Sequence, residues 1–246
     1  MKKLLITLFI LISFSLFSQE DWHYMSISMG GAIPQGNFAS TDSTNTGAGY
    51  AQTSFTLSFD VGYYFTPNFG LGGTVAFLNN AVNLPALRDD LIAEIEERYP
   101  DIEIPEDAQI SFNVGAWNHV NFLVGPQFSL PFGGVAIDLR ALAGMSWVFP
   151  PPAELYVADE NQGLDYRLYW DQKQSVAFAY DFGGGLRFNT RNNYIIRIGI
   201  DYSYAKAKFN INDEITLPGK TPDNSTREVT QELGTVQAMI GVGYYF

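Results

Sequence analysis

The chain contains no cysteine among its 246 residues. Disulfides, thiolate zinc sites, iron–sulfur clusters, a cysteine nucleophile and a lipoprotein anchor are excluded together, because each of them needs a thiol. Histidine is scarce too, since only His23 and His119 are present. The side chain that most often carries acid–base chemistry near neutral pH is therefore in short supply.

Charge is also low, and it is one-sided. Charged residues make up 16% of the chain, below the share of about a quarter that is usual for soluble domains. The 14 Lys and Arg stand against 26 Asp and Glu, which gives a formal net charge of −12. A phosphate backbone is repelled by this excess, so nucleic-acid binding is excluded. Composition by itself names no activity.

Long apolar runs are missing except at the amino terminus. A basic start, Met1-Lys2-Lys3, precedes an apolar run over residues 4–17. This order is typical of a secretory signal peptide, and the run is shorter than the roughly 20 apolar residues of a membrane anchor. We predict a cleaved leader over residues 1–18 and a mature domain over residues 19–246. Cleavage after Ser18 places Leu16 where small residues are usual, so a neighbouring bond remains an alternative.

The mature chain alternates apolar and polar residues with the period of a β-strand, which is two. For example, Phe55, Leu57 and Phe59 are separated by small or polar residues. This pattern predicts eight strands, near residues 22–33, 49–65, 69–77, 110–129, 135–148, 175–188, 194–205 and 229–246.

The connections between these strands alternate in length. Short turns are expected at residues 66–68, 131–134 and 189–193, and long loops at about 34–48, 78–109, 149–174 and 206–228. An even number of strands with short turns at one end and long loops at the other is typical of outer-membrane barrels. We predict an all-β fold, an eight-stranded antiparallel up-and-down transmembrane β-barrel with long extracellular loops and short periplasmic turns.

The direction of the two strand faces has to be decided from side-chain size, because alternation also fits a soluble barrel of the lipocalin type. A strand surface that faces water normally carries long Lys and Glu side chains. The polar face of this chain consists instead of small residues with a few Asp and Arg. Such a face suits the confined interior of an eight-stranded barrel, so we expect the apolar face to contact lipid.

Seven charged residues then point into the lumen: Asp60, Asp138, Arg140, Asp181, Arg187, Arg197 and Asp201. Four Asp and three Arg leave one unbalanced negative charge, so nearly every charge can find a partner. Counted from the short turns, Asp60, Asp138, Arg187 and Arg197 form a lower layer and the other three a higher one. We predict two layers of Asp–Arg pairs that block ion flow.

The carboxyl-terminal segment, residues 238–246, resembles the last strand of outer-membrane β-barrel proteins, because Ile240, Val242, Tyr244 and Phe246 are its alternate apolar residues. Residues 30–38 and 124–128 resemble recurrent segments of the small outer-membrane β-barrel domain family, related in architecture to the OmpA, OmpX and OmpW barrels of Gram-negative bacteria. The resemblance covers the mature chain. It implies that the barrel assembly machinery reads these four alternate apolar residues.

Function has to be inferred from the residues, because that resemblance is weak for activity. We expect a structural, adhesive or ligand-binding role through the extracellular loops, with no enzymatic activity, no cofactor and no metal site. Two alternatives remain open. One is OmpW-like passage of small apolar molecules, and the other is a lipid-modifying enzyme that uses His119, which has lumen-facing parity, as its base.

The second long loop contains a predicted amphipathic helix that starts near Pro85 and stops before Pro100. Acidic residues form an expected crown on the second and third loops: Asp101, Glu103, Glu106, Asp107, Glu154, Asp159, Glu160, Asp165 and Asp171. This crown is either a solvated surface or a collector of divalent cations that bridge to lipopolysaccharide. The expected partners are outer-membrane lipid, lipopolysaccharide and the assembly machinery, and the expected state is a monomer.

Overall fold

A computed structural model describes residues 23–42, 44–45, 47–98, 109–159, 164–216 and 223–246. The leader expected over residues 1–18 and its cleavage bond lie outside this part of the chain. Of the helical segments in the described ranges, none has the length and hydropathy that spanning a bilayer requires.

The described chain forms eleven strands and an α-helix, together with short 3₁₀ turns. The helix is α1 (Leu84–Arg98). The strands are β1 (Tyr24–Gln35), β2 (Ser54–Tyr64), β3 (Phe69–Asn80), β4 (Gln109–Val114), β5 (Trp117–Phe132), β6 (Val135–Phe149), β7 (Ala153–Asp159), β8 (Leu164–Gln172), β9 (Ser175–Asn189), β10 (Tyr194–Thr216) and β11 (Asp223–Tyr245).

Eight of these strands close a ring in the order β1, β2, β3, β5, β6, β9, β10, β11 and back to β1. Neighbouring strands are antiparallel all round the ring. The closing pair runs from Tyr24↔Tyr245 to Gln35↔Gly234. A closed ring leaves no strand edge in hydrocarbon, so the backbone groups pair without water. The predicted eight-stranded antiparallel barrel is confirmed.

The strands are staggered as well as closed. When the register is followed once round the ring from Met25, it returns to β1 at Gln35, ten residues further on. A stagger of this kind tilts the strands relative to the barrel axis. Residues at equal distances from the turns therefore do not lie at equal heights in the lumen, which matters for the charge pairing described below.

Side chains on the ring strands alternate between the outer wall and the lumen. On β2, Leu57 and Phe59 are exposed, whereas the neighbouring Ser58 and Asp60 are buried. The apolar row lies outside, where it suits lipid, and the small polar row lies inside. The predicted transmembrane arrangement is confirmed, and its soluble inverse is excluded.

Short turns join the strands at the periplasmic end. In the first turn, the backbone N–H of Phe65 donates to the carbonyl oxygen of Phe69 at 2.9 Å. Gly133 (φ +59°) in the second turn and Asn192 (φ +66°) in the third have left-handed backbones, which glycine and asparagine adopt most readily. The predicted short turns are confirmed at this end.

At the other end, two strands continue well past the barrel wall. β10 and β11 remain paired up to Ile215↔Asp223. β8 pairs with the upper part of β10, β7 pairs with β8, and β4 pairs with β7. These three strands and the upper parts of β10 and β11 form what we call the extracellular sheet.

Several strand boundaries differ from those expected. The strand expected over residues 49–65 begins only at Ser54, and residues 110–129 are divided between β4 and β5. Much of the loops expected over residues 149–174 and 206–228 is strand. Outside the membrane a strand has no lipid-facing side, so the hydrophobic period of two weakens even though the backbone pairing continues.

The helix predicted in the second long loop is present as α1. Leu91 is buried, at 3% exposure, and Leu87 packs against apolar side chains at the barrel mouth. α1 therefore packs at the mouth with one side instead of standing free in solvent. Of the expected acidic crown, Asp101, Glu103, Glu106, Asp107 and Glu160 lie outside the described residues.

We expect deletion of Phe246 to lower the amount of folded barrel in the outer membrane. Its backbone N–H donates to the carbonyl oxygen of His23 at 2.9 Å, so the deletion shortens the seam that closes the ring. Folded barrels migrate differently before and after heating, and the heat-shifted fraction of an outer-membrane preparation measures the effect. Lys173→Ala, at an exposed residue, is the control, and an unchanged fraction after the deletion would contradict the prediction.

Candidate functional site: the lumen and its extracellular cap

Aromatic rings fill the periplasmic end of the lumen. Tyr24, Tyr64 and Tyr245 form a buried cluster with Ile195. The Arg187 guanidinium lies over the Tyr24 ring, 4.4 Å from its centroid, and within 5.4 Å of the other two ring centroids. A desolvated cation–π contact of this kind is worth about 2 kcal/mol. These side chains leave little free cross-section at this end.

The lowest ion pair of the lumen stands on these rings. Arg187 Nη2 lies 3.1 Å from Asp138 Oδ1 and also donates to Ser129 Oγ at 2.9 Å. Beside it, Gln127 Nε2 donates to the hydroxyl oxygens of Tyr24 and Tyr64 at 2.8 and 2.7 Å. Aromatic and polar side chains are thus tied into one layer.

A second and larger charge cluster is centred on Arg140. Its Nε and Nη2 donate to the two carboxylate oxygens of Asp201 at 2.9 and 2.8 Å, and its Nη1 donates to Asp60 Oδ1 at 2.6 Å. Arg197 Nη1 donates to the other oxygen of Asp60 at 2.8 Å. Asp181 lies further away, with Oδ1 at 3.8 Å from Arg140 Nε. All five side chains are buried, where charges need partners of opposite sign.

The structure thus brings all seven expected lumen charges inside but groups them differently. Asp60 and Arg197, expected in the lower layer, belong to the Arg140 cluster. Arg187 and Asp138 form the other group alone. The ten-residue stagger of the ring explains the difference, because a count along each strand ignores the tilt that sets the height of each residue.

The upper lumen is apolar and is filled by residues from the first loop and three strands. Phe38, in a 3₁₀ turn at Gly36–Ala39, is fully buried. Its ring meets Trp117 edge-on at 5.7 Å between centroids, and Trp117 in turn lies 5.9 Å from Phe209. Trp117 Nε1 donates to the carbonyl oxygen of Gly49 at 2.9 Å. We call Phe38, Trp117, Phe209 and Leu233 the apolar plug.

Hydrogen bonds connect α1 to the first loop beside the apolar plug. The backbone N–H of Asn83, just before α1, donates to the carbonyl oxygen of Tyr50 at 2.7 Å. The Tyr50 hydroxyl donates to Asp90 on the helix itself. Residues 49–51 therefore contact both the plug and α1.

His119 lies in the lumen, as its parity predicts, with 2% exposure. Its ring centroid is 6.5 Å from that of Phe38. Among the described residues, its Nδ1 has no hydrogen-bond partner. A catalytic histidine normally has this atom held by a carboxylate, so the geometry does not support the lipid-modifying alternative.

The four terminal apolar residues lie on the outer wall. Ile240, Val242, Tyr244 and Phe246 are all exposed. The first three pair with Met29, Ile27 and Met25 of β1, in that order. They stand on the strand that closes the ring, and their reading by the assembly machinery stays a prediction.

The apolar plug and the three tyrosines were missed by the sequence reasoning, although a signal was present for the tyrosines. Tyr24 has the lumen-facing parity of Ser26 and Ser28, and Tyr64 has that of Asp60. A large ring on an otherwise small polar face indicates a lumen that narrows or closes. Within the described part of the chain, no three His, Asp or Glu side chains are placed to hold a metal ion.

Comparison with known proteins supports this architecture. A family model described as the outer membrane protein beta-barrel domain matches residues 4–246. No curated protein matches the chain.

Solved structures with similar folds include three outer-membrane proteins. Neisserial surface protein A is 10% identical, with a TM-score of 0.41, and the match covers 91% of this chain and 97% of that one. Ail, the attachment invasion locus protein of Yersinia pestis, is 17% identical, with a TM-score of 0.36, and the match covers 91% of this chain and 98% of that one. OprG from Pseudomonas aeruginosa is 14% identical, with a TM-score of 0.45, and the match covers 92% of this chain and 97% of that one.

We expect Arg140→Ala to destabilise the barrel strongly. The substitution leaves Asp60 and Asp201 buried without the partner that now donates three hydrogen bonds to them. Removing one partner of a buried pair costs about 3–5 kcal/mol. The unfolding midpoint of the barrel refolded in lipid vesicles measures the effect, with the exposed Lys173→Ala as control. Equal unfolding midpoints of Arg140→Ala and the unmodified protein would contradict the pairing. In a separate measurement, a large steady single-channel conductance of the unmodified protein would contradict a filled lumen.

We expect Gly183→Ala to disturb the same cluster from β9, where Gly183 is paired with Arg140 on one side and with Asp201 on the other. A methyl group at Gly183 would overlap the Asp201 carboxylate, and overpacking of this kind costs about 1–3 kcal/mol. Gly73→Ala is the matched control, because its methyl group would have no heavy atom nearer than Leu123 O at 3.9 Å. The same unfolding assay should show a lower midpoint only for Gly183→Ala.

Proposed function

The chain belongs to the family of outer membrane protein β-barrel domains, and we propose that it works in that membrane as a closed barrel whose extracellular surface binds or adheres to a partner. In this proposal the leader over residues 1–18 directs export and is removed. The barrel is an anchor and not an enzyme. The observation that carries the proposal is a folded extracellular sheet that stands on a filled lumen.

The filling of the lumen favours this role over passage of small molecules. Passage of apolar molecules needs a continuous apolar cavity beneath the loops. That space is occupied by the apolar plug, in which Phe38 and Leu233 are at most 1% exposed. Below the plug, Arg140 and Arg187 hold the two charge clusters. A permeating molecule would have to displace both the plug and buried ion pairs.

The extracellular sheet offers a binding edge. In the described sheet, residues 223–233 of β11 are paired with β10, because β1 ends at its pair Gln35↔Gly234. The first loop contacts the lower part of this segment, where Gln231 Nε2 donates to the carbonyl oxygen of Gly47 at 3.0 Å. The opposite side of this strand segment therefore has backbone N–H and C=O groups that face away from the sheet. Such an edge accepts an extended peptide as an added strand.

The charge of this side of the protein indicates the chemistry of the partner. Residues 36–53, 81–116, 150–174 and 206–233 connect or extend strands at the extracellular end, and they contain 20 Asp and Glu against 8 Lys and Arg. A surface with this balance attracts positive charge at long range. We propose that the partner presents an extended, positively charged segment.

We expect shortening of the extracellular sheet to abolish binding without harming the barrel. Residues 210–228 are replaced by Asn-Gly, which suits a two-residue hairpin turn between Phe209 and Val229, paired residues of β10 and β11. The probe is a labelled octapeptide of alternating Lys and Val, measured by fluorescence anisotropy against the barrel in lipid nanodiscs. The full-length protein should bind it, and the shortened variant should bind it at least tenfold more weakly.

An octapeptide of alternating Glu and Val is the matched control for charge. Equal binding of both peptides, or equal binding of the Lys–Val peptide by the two barrels, would contradict the proposal. The shortened variant keeps Phe209 of the apolar plug, so its heat-shifted gel mobility should be unchanged.

A further inference from the structure

The outward row of β10 crosses the whole apolar band of the barrel and then becomes basic. It reads Tyr194, Ile196, Ile198, Ile200, Tyr202, Tyr204, Lys206 and Lys208. The ten residue steps from Tyr194 to Tyr204, at a rise of about 3.3 Å each and a tilt of about 40°, span about 25 Å along the barrel axis. This height matches the apolar band of an outer-membrane barrel, about 25 Å. Lys206 is therefore the first residue of the row beyond the hydrocarbon.

Tyrosines mark the same boundary on two adjacent strands. Tyr180 on β9 is paired with Tyr204, and their rings stack at 5.3 Å between centroids. Tyrosine and tryptophan concentrate where hydrocarbon meets the headgroups. Lys206 and Lys208 stand just above these rings, with 57% and 66% of their side chains exposed. Both ammonium groups lie at the level of lipid headgroups.

Each lysine is oriented by a glutamate of β11. Lys206 Nζ donates to Glu232 at 3.2 Å, and Lys208 Nζ donates to Glu228 at 2.8 Å. Glu232 also accepts a hydrogen bond from Asn37 Nδ2 at 3.1 Å, which links it to the first loop. The hydrogen bond from Lys206 holds the pKa of the Glu232 carboxyl below its ordinary value. An ammonium group has three donors, so each lysine can contact its glutamate and a further anion.

The boundary on the opposite wall has a different chemistry. There Asn79 Nδ2 on β3 donates to Asn118 Oδ1 on β5 at 2.8 Å, and both residues lie just above the outward apolar residues of their strands. Both of these residues are uncharged. An anionic headgroup would thus find paired lysines on the β10 wall and neutral amides on the β3 wall.

We propose that Lys206 and Lys208 form a docking surface for the phosphate group of an outer-leaflet glycolipid, with Tyr204 beneath them against its acyl chains. The extracellular side of the chain is mostly acidic and repels anionic headgroups elsewhere. The two lysines offer point charges with rotatable donors at the correct height, which suits phosphate. This inference rests on the proposed outer-membrane orientation but not on the proposed peptide partner.

The test compares the unmodified barrel with the double variant Lys206→Gln/Lys208→Gln. Both are purified from vesicles of phosphatidylcholine containing a tenth of lipid A, and the bound lipid A per barrel is measured by mass spectrometry. A lysine near an anionic surface contributes a factor of about five, equivalent to about 1 kcal/mol. With the glutamates offsetting part of this, we expect about tenfold less lipid A on the double variant.

Lys173→Gln is the matched control, because it removes the charge of another exposed lysine between β8 and β9. It should retain lipid A like the unmodified barrel. In phosphatidylcholine alone, all three proteins should have the same unfolding midpoint, and a lower midpoint of the double variant there would assign the lysines to folding and overturn the proposal. Equal retention of lipid A by the double variant would overturn it too.

Two further control experiments distinguish lipid binding from binding of a free anion and from cation bridging. Inorganic phosphate at millimolar concentration should not displace lipid A, since the acyl chains add contacts that free phosphate lacks, and complete displacement would mean an anion site without a lipid. Chelation of divalent cations should also leave retention unchanged, whereas its loss would assign the contact to cation bridging by Glu228 and Glu232. Binding of the Lys–Val peptide is measured separately, so either proposal can fail alone.

Discussion

The absence of water in the bilayer core is the constraint on which the rest of this structure depends. Every backbone N–H and C=O group at that depth has to be paired within the protein. The chain meets the requirement by closing eight strands into a ring, with β11 paired to β1 from Tyr245 to Gly234. Closure and stagger then determine the width of the lumen and the height of each side chain inside it.

The narrow lumen accounts for the pairing of its charges. Arg140 contacts Asp60 on β2 and Asp201 on β10, and Arg187 contacts Asp138 among tyrosine rings. Apolar side chains fill the space above, led by Phe38 from the first loop. The interior is thus used for packing and for ion pairs, and the chemistry available to a partner lies on the outside.

Two outer surfaces follow from the continuation of β10 and β11 beyond the ring. Their upper parts support the extracellular sheet, which offers a strand edge. Lower on the same wall, Lys206 and Lys208 are exposed and are paired with Glu232 and Glu228. We propose a positively charged peptide as the partner of the first surface and an anionic lipid as the ligand of the second, so that one protein is oriented by its membrane while it binds a partner above it.

The sequence by itself determined the barrel. Lipid contacts one face of each strand and a crowded lumen contacts the other, so apolar and small polar residues alternate with a period of two. Leu57, Ser58, Phe59 and Asp60 show this alternation. The sequence also placed the lumen charges and the helix after Pro85. Their pairing depended on the tertiary structure, since the stagger of the ring sets relative heights that no single strand records. The apolar plug and the extracellular sheet also emerged only in three dimensions, because backbone pairing between distant segments in water leaves no hydrophobic period to detect.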